Sequence, residues 1–237
     1  MFWWRDEVRP GVSVAFTDTD AGNLALHVGD NPQQVLARRV RLEEAAGLGA
    51  GSFQYMDQVH GNAVEFIAAP GPGPTADAMV SAATGSITSA RPLAVMVADC
   101  VPVVFVGDHA STNPVIAVAH AGRPGVASAV VPATVAEMRR RGALNISAWL
   151  GPSICGSCYE VPEQLRSEVS AKVPATWSTT SWGTPALDLP AGVRAQLAEL
   201  DVNVEYSGEC TLEHESLFSY RRDSRTGRFA GLVWTHD

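Results

Sequence analysis

The pattern of hydrophobic and polar positions alternates between short β-branched runs and longer stretches with helical spacing. Three apolar runs in the middle of the chain, 93–98, 101–106 and 115–119, are rich in valine and bounded by turn residues. Runs of this length without polar alternation are typical of strands that are buried on both faces. They predict a sheet whose central strands lie inside the protein.

Helices are predicted where apolar spacing coincides with capping residues. In the segment 30–47, Asp30 or Asn31 can cap a helix, Pro32 fits its first turn and Gly47 can end it. Further helices are predicted over 126–141, 162–172 and 189–200, and further strands over 12–16, 24–28, 52–58, 63–67, 202–207 and 229–234. Because no linker or repeat interrupts this alternation, we predict one α/β domain over residues 1–237, with mixed β-sheets flanked by helices.

Composition and charge exclude several classes of function. A net charge of -8 without a block of basic residues argues against a nucleic-acid partner. The longest apolar run, 93–106, is shorter than the roughly 20 residues of a membrane span, and the N-terminal residues lack the pattern of a signal peptide, so we expect no membrane partner and a cytoplasmic location. Lys172 is the only lysine, which disfavours a Schiff-base or P-loop mechanism.

Three local motifs place potential metal ligands where predicted strands end. They are QVHG with His60, ADC with Cys100 and AHAG with His120. One thiolate and two imidazoles suit zinc, and three protein ligands with an open fourth position are typical of a catalytic site. For each residue taken alone, a satisfied polar group or a small core residue is the favoured explanation, and the spacing by itself does not decide between it and a metal site.

A second set of cysteines offers a competing zinc site. Cys155-x2-Cys158 and Cys210-x3-His214 have spacings that suit a closed structural knuckle. A buried turn in the GPSICGSCYEV segment would explain Cys155 and Cys158 without a metal. We expect the turn, and on that interpretation replacing both cysteines leaves the metal content intact. Four cysteines in a chain of this length do not indicate a disulfide framework.

Other residues offer anion binding and proton transfer. Arg123 begins a predicted helix, and Arg221 and Arg228 lie in the arginine-rich segment 219–228, so the three are candidate phosphate ligands. Asp99 and Glu160 are candidates for proton transfer, and a structural hydrogen bond explains either of them equally well. Cys100 is the candidate nucleophile if no metal is bound. Asp77 is expected to be a cap or turn residue.

The motifs QVHG, ADAMVS, MVADCVPVVF, AHAG, GPSICGSCYEV and LFSYRRD, in this order, resemble the bacterial YfiH-like family over nearly the whole chain. The resemblance implies mixed β-sheets with outer helices and one zinc ion per chain on His60, Cys100 and His120. It also implies purine nucleoside phosphorylase activity, with adenosine deaminase and S-methyl-5'-thioadenosine phosphorylase activities. Purine nucleosides and phosphate are then the expected partners, and a monomer or weak homo-oligomer the expected state.

The family has also been described as a polyphenol oxidase (laccase) and as a peptidoglycan-editing factor. A multicopper laccase needs far more imidazoles, mostly in His-x-His pairs, than the six unpaired histidines of this chain, so we expect no such activity. A cell-wall precursor substrate and a cysteine hydrolase using Cys100 remain the alternatives. The chain departs from the usual HAGWRG motif, because Arg123 and Pro124 replace its tryptophan and arginine, and its N-terminal loop is shortened.

Overall fold

The computed structural model describes residues 1–83, 88–110 and 113–236. These described residues form twelve strands and five α-helices. The strands are β1 Phe2–Arg9, β2 Val12–Thr17, β3 Val64–Phe66, β4 Ala78–Ser81, β5 Leu93–Val97, β6 Val101–Asp108, β7 Val115–Ala121, β8 Leu144–Leu150, β9 Trp177–Thr179, β10 Pro185–Leu187, β11 Asn203–Tyr206 and β12 Phe229–Thr235. The α-helices are α1 Pro32–Ala45, α2 Arg123–Ala127, α3 Val130–Arg140, α4 Glu163–Ser170 and α5 Leu189–Ala198.

The strands form two large sheets and one small one. A four-stranded antiparallel sheet has the order β1-β2-β12-β5. A six-stranded sheet has the order β11-β8-β6-β7-β4-β3 and is mixed, because β11 runs parallel to β8 and β3 parallel to β4. Strands β9 and β10 pair separately. This architecture confirms the predicted α/β class with mixed sheets and flanking helices.

The two large sheets pack face to face, and helices cover their outer faces. Val104 and Val118 of the six-stranded sheet meet Val95 and Phe229 of the four-stranded sheet in one core cluster. Val103 and Phe105 point to the opposite side, where they pack with residues of α3 and α5. Strands β6 and β7 are therefore buried on both faces, which is why their sequences show no polar alternation. Each buried valine contributes about 1.5–3 kcal/mol to folding.

Two predicted strands are wrong. Residues 24–28 form no strand, because the backbone oxygen of Leu24 is held by the Arg39 side chain at 2.7 and 2.9 Å rather than by a neighbouring strand. Segment 52–58 has only the isolated bridges of Gln54 with Leu93 and of Asp57 with Thr75. Leu24, Ala25, Phe53 and Met56 are buried by side-chain packing although Leu26 is exposed, so the hydrophobic pattern alone did not distinguish these segments from strands.

The predicted helix over 126–141 is two helices, α2 and α3. The chain breaks at Ala129, which adopts a left-handed conformation with φ 65°. Pro132 lacks an N–H donor and is tolerated only in the first turn of a helix, so a new helix starts at Val130. Among the described residues, the structure contains no helix long and apolar enough to cross a bilayer.

Candidate metal centre

Three residues from separate parts of the chain meet at one end of the sheets. Cys100 lies in the tight turn between β5 and β6, and His120 lies in β7, opposite Pro102 of β6. His60 lies in an exposed loop, and its Nε2 is 3.9 Å from Cys100 Sγ. The His60 and His120 ring centroids are 4.6 Å apart, and the ligand atoms of the three residues lie within 4.8 Å of one another. The structure thus brings together the three predicted metal ligands.

The backbone beside this cluster is built to leave room for it. A Cβ atom added at Gly122 would lie 2.9 Å from His60 Cδ2, 3.1 Å from Cys100 Sγ and 3.5 Å from His120 Nε2. Any larger residue at this position would therefore crowd His60 and Cys100 and would contact His120. Glycine is therefore needed at this position of the AHAG motif because the ligand side chains lie so close to its backbone, and not because its φ is unusual.

Asp77 connects two of the three ligands. Its carboxylate accepts a hydrogen bond from His60 N at 2.9 Å and from Gly61 N at 2.5 Å, so it holds the turn as expected. It also bonds Nδ1 of the buried His120 at 2.8 Å, a contact that the sequence analysis missed. A carboxylate on Nδ1 fixes the orientation of the ring and leaves Nε2 as the ligand atom.

Two residues of the site have a strained backbone. His60 has φ 61° and Asp99 has φ 87°, conformations that residues with a side chain rarely adopt. Asp99 is held by accepting from Thr211 Oγ1 and from Arg221 N, both at 2.7 Å. Such strain costs on the order of 1–3 kcal/mol per residue and concentrates at functional sites. Here it directs the turn before β6 so that Cys100 faces the cavity.

The cluster stabilises a thiolate. Burial is the largest influence on Cys100 and would raise its pKa, but the charges and hydrogen bonds of His120 and His60 together outweigh burial, and the pKa falls to about 6. Burial would lower the pKa of His120, but the Cys100 charge and the Asp77 hydrogen bond raise that pKa to about 9. Thiolate is the form of cysteine that binds metals, and a metal that occupied the cluster would displace the His120 proton.

The cluster lines a cavity of about 630 Å³, within the size range of ligand sites. Arg123, Arg221 and Arg228 line the same cavity, so the structure brings all three predicted phosphate ligands to it. Arg221 Cζ lies 4.6 Å from the Tyr159 ring. Burial, followed by the charge of Cys100, raises the pKa of Tyr159, so this hydroxyl keeps its proton near neutral pH. Other lining residues are His27, Gln58, Met96, Asp99, Pro124 and Tyr220.

Glu160 is not part of the cavity lining. Its carboxylate accepts a hydrogen bond from Trp182 Nε1 at 2.8 Å, and its backbone oxygen accepts one from Arg221 at 2.8 Å. The structure therefore does not bring Glu160 to the cluster, because the chain turns outward after Tyr159. Tyr159, its neighbour, faces the cavity instead and was missed by the sequence analysis. The CYEV motif contained both residues and gave no signal for choosing between them.

A second group of potential ligands lies elsewhere. Cys155, Cys158, Cys210 and Glu213 offer ligand atoms within 4.8 Å of one another. Burial, followed by the neighbouring thiols, raises the pKa of Cys155 and Cys158. His214, whose spacing suits the knuckle that the sequence offered as an alternative, is not part of this group, because its Nε2 pairs with Glu209 at 2.8 Å.

These features define a mixed α/β protein with a three-ligand candidate metal centre, open to a cavity of ligand size. The chain belongs to the family described as multi-copper polyphenol oxidoreductase laccase, whose sequence model matches residues 7–236.

Relatives within this family carry a different description. A Streptomyces griseus protein named purine nucleoside phosphorylase is 46% identical over 93% of both chains. The Escherichia coli purine nucleoside phosphorylase YfiH is 37% identical over 93% of this chain and 89% of its own, which confirms the YfiH-like resemblance. The crystal structure of a Neisseria meningitidis protein superposes with TM-score 0.84 at 33% identity, over 100% of this chain and 99% of the other.

Proposed function

We propose that the protein is a zinc-dependent purine nucleoside phosphorylase whose reaction takes place in the cavity beside His60, Cys100 and His120. The observation that best supports this proposal is that two kinds of functional group lie in the same cavity. A metal-ligand cluster and three arginines line one cavity. The names of the relatives supply the substrate class, since several of them are called purine nucleoside phosphorylases.

The residues fit zinc better than copper. One thiolate with two imidazoles is a common zinc ligand set, and Asp77 on His120 is the outer carboxylate that zinc sites usually have. Gly122 leaves space where the ligand atoms converge. When bound, zinc supplies a Lewis acid that polarises an oxygen or nitrogen of the substrate. The family description mentions copper, but a three-residue cluster cannot provide the several copper centres of a multicopper oxidase.

In phosphorolysis, phosphate attacks C1' of the ribose, the glycosidic bond breaks and the purine leaves with the bonding electrons. We assign Arg123, Arg221 and Arg228 to binding the phosphate, because guanidinium groups bind its oxygens in pairs and keep them oriented. Tyr159 and Tyr220 offer aromatic surfaces for the purine, and the protonated Tyr159 hydroxyl can donate to a leaving nitrogen. Asp99 positions the Arg221 backbone rather than transferring a proton, since both of its oxygens are engaged.

We further propose the two additional activities, adenosine deamination and S-methyl-5'-thioadenosine phosphorolysis, in the same cavity. Both substrates share the purine and ribose that the proposed phosphorylase must bind. Deamination replaces the C6 amino group by a water oxygen and releases ammonia, so it needs no phosphate. A loss of phosphate binding should therefore separate it from the other two reactions.

The test is product analysis of the purified protein together with its metal content. With inosine and phosphate we expect hypoxanthine and ribose 1-phosphate, with adenosine alone we expect inosine, and with S-methyl-5'-thioadenosine and phosphate we expect adenine. Removal of zinc by a chelator should abolish turnover, and zinc should restore it. Turnover that copper restores and zinc does not would contradict the assignment of the metal, and no nucleoside turnover in any form would contradict the function.

A second candidate function rests on one specific observation. Cys100 with a pKa of about 6, His120 beside it and Asp77 behind His120 have the arrangement of a nucleophile, a base and an orienting acid. A cysteine hydrolase would therefore be rapidly alkylated at Cys100 by iodoacetamide and would work without metal. A zinc enzyme should be protected from alkylation by its metal, so mass spectrometry of the alkylated holoprotein distinguishes the two functions.

A further inference from the structure

The second group of cysteines lies where two separate segments of chain meet. Cys155 and Cys158 lie in the turn that follows β8, and Cys210 lies in the segment that follows β11. Strands β8 and β11 run parallel, and the pairing continues past their ends as a bridge between Ser153 and Cys210. The register of these two strands therefore places Cys210 beside the Cys-x2-Cys turn, 55 residues away in sequence.

The ligand atoms of this group have the spacing of a metal site. The three sulfurs and a Glu213 oxygen all lie within 4.8 Å of one another, and Cys158 Sγ is 3.5 Å from Glu213 Oε1. Four sulfurs bound to zinc at about 2.3 Å are about 3.7 Å apart, so closure onto a metal needs shifts of about 1 Å or less. The backbone N–H of Cys155 donates to Cys210 Sγ at 3.4 Å. Backbone donors of this kind support metal-bound thiolates from outside the ligand set.

The composition of the group is unlike an ordinary core contact. Three thiols, two of them buried and one partly buried, converge beside Ile154 and Leu212 with the exposed carboxylate of Glu213, and a cation would balance such a group of acidic side chains. The nearby histidine is not that cation, because His214 pairs with Glu209. The Arg222 guanidinium is not available either, since it donates to the backbone oxygens of Thr211, Leu212, His214 and Leu217.

We propose that Cys155, Cys158, Cys210 and Glu213 bind a second zinc ion, in a closed structural site distinct from the cluster at Cys100. Three thiolates and a carboxylate provide the four ligands of tetrahedral zinc and leave no position for a substrate. The donor set is soft, which disfavours magnesium or calcium. From the sequence alone we expect one zinc ion per chain and no metal loss on replacing Cys155 and Cys158, and the geometry of the second cluster leads to the opposite expectation.

The proposed zinc ion would link the chain segment that contains Cys158 to the segment that contains Cys210, and both segments support the cavity. Tyr159, which lines the cavity, follows Cys158 directly. Thr211 follows Cys210, and its hydroxyl donates to Asp99 at 2.7 Å. The zinc would thus connect Tyr159, which faces the cavity, to Thr211, which anchors the turn before Cys100. Its loss should loosen both segments, and we expect a lower melting temperature and a raised KM rather than an absence of fold.

The test is elemental analysis of the full-length protein purified under reducing conditions. The wild type should contain close to two zinc ions per chain. Cys100→Ala should keep one ion, Cys210→Ser should keep the other, and the variant with both changes should contain almost none. Cobalt loaded into Cys100→Ala should show the strong sulfur-to-metal charge-transfer absorption of a three-thiolate site, and cobalt loaded into Cys210→Ser should show the weaker absorption of a single thiolate.

Glu213→Gln provides a variant that keeps all three cysteines, because residue 213 is exposed and tolerates substitution. We expect this variant to fold and to lose its second zinc to a weak chelator at least ten times faster than the wild type. If the wild type contains only one zinc ion, lost entirely in Cys100→Ala, the proposal is overturned. Mass spectrometry that finds a Cys155–Cys158 disulfide, or equal alkylation of all three cysteines in the folded zinc-loaded protein, would overturn it as well.

Discussion

The two cysteine clusters of this molecule differ in what surrounds the sulfur. At Cys100, one thiol meets two imidazoles, and they lower its pKa to about 6. At Cys158, the thiol meets two more thiols and a carboxylate, and burial and these neighbours raise its pKa. The first cluster favours a thiolate even before any metal binds, while in the second the raised pKa values of Cys155 and Cys158 keep these two thiols protonated unless a cation is bound.

The two clusters also differ in access and in ligand number. His60, Cys100 and His120 are three ligands that open onto a cavity, which is the pattern of a catalytic metal. The second cluster has four ligand groups packed between two loops, which is the pattern of a structural metal. Zinc can thus be proposed for both clusters with different roles. It would be catalytic where a ligand position remains free and structural where all four positions are filled.

The largest loss of activity is expected when the open cluster, His60, Cys100 and His120, loses an imidazole. His120→Ala should lower adenosine deamination at least about 100-fold, because solvent cannot replace the imidazole in this geometry. The fold should survive, since a substitution at the cavity wall leaves little empty core. Steady-state rates and circular dichroism provide the measurement, with His214→Ala, at a half-exposed histidine outside the cavity lining, as the control. Full activity of His120→Ala in both reactions would mean that the open cluster is not the reaction centre.

Removing an arginine from the cavity should have a selective effect. Arg123→Ala should reduce phosphate-dependent release of the base by about 1.5–3 kcal/mol, or roughly 10-fold to 150-fold, because one charge-assisted contact is lost. Deamination should stay near the wild-type rate, since it uses no phosphate. Arg225→Ala, an exposed arginine outside the cavity lining, is the matched control. An equal loss in both reactions would show that Arg123 acts on the nucleoside instead.

Asp77, whose carboxylate contacts His120, is expected to strengthen zinc binding at the open cluster. Asp77→Asn should weaken zinc binding about 10-fold to 100-fold, because the amide no longer fixes and polarises the imidazole. Competition with a zinc chelator measures the change. The exposed Asp57 supplies the control variant Asp57→Asn. Unchanged zinc affinity in Asp77→Asn would reduce Asp77 to a residue that only holds the 59–61 turn.

The smallest effect on zinc content and stability is expected from a substitution next to the closed cluster, which consists of Cys155, Cys158, Cys210 and Glu213. His214→Ala should leave the zinc content unchanged and alter stability by about 1 kcal/mol, because its partners are the half-exposed Glu209 and the ring of Trp3 rather than a metal. Elemental analysis and thermal unfolding check this result. A loss of one zinc ion in this variant would instead support the histidine-containing knuckle that the sequence spacing allows.

Strands were predictable from the sequence where the signal was local. The segments 93–98 and 115–119 were predicted as strands and are β5 and β7, because an uninterrupted valine-rich run between turns has few other stable conformations. The segment 52–58 has only three apolar residues among seven and is not a strand, because Phe53 and Met56 are buried by side-chain packing without a hydrogen-bonded partner over the length of the segment. Strand β1 was missed, since its exposed centre lacks a hydrophobic pattern.

The sequence by itself determined the ligand types of the open cluster, because His60, Cys100 and His120 each lie in a short motif whose chemistry is local. Only the tertiary structure decided which groups join them. Asp77 reaches His120 because β4 pairs with β7, which places Ala78 opposite Ala119. Glu213 rather than His214 reaches the second cluster because of how the chain turns after β11. Strand register and loop packing depend on contacts between distant residues, and no local spacing encodes them.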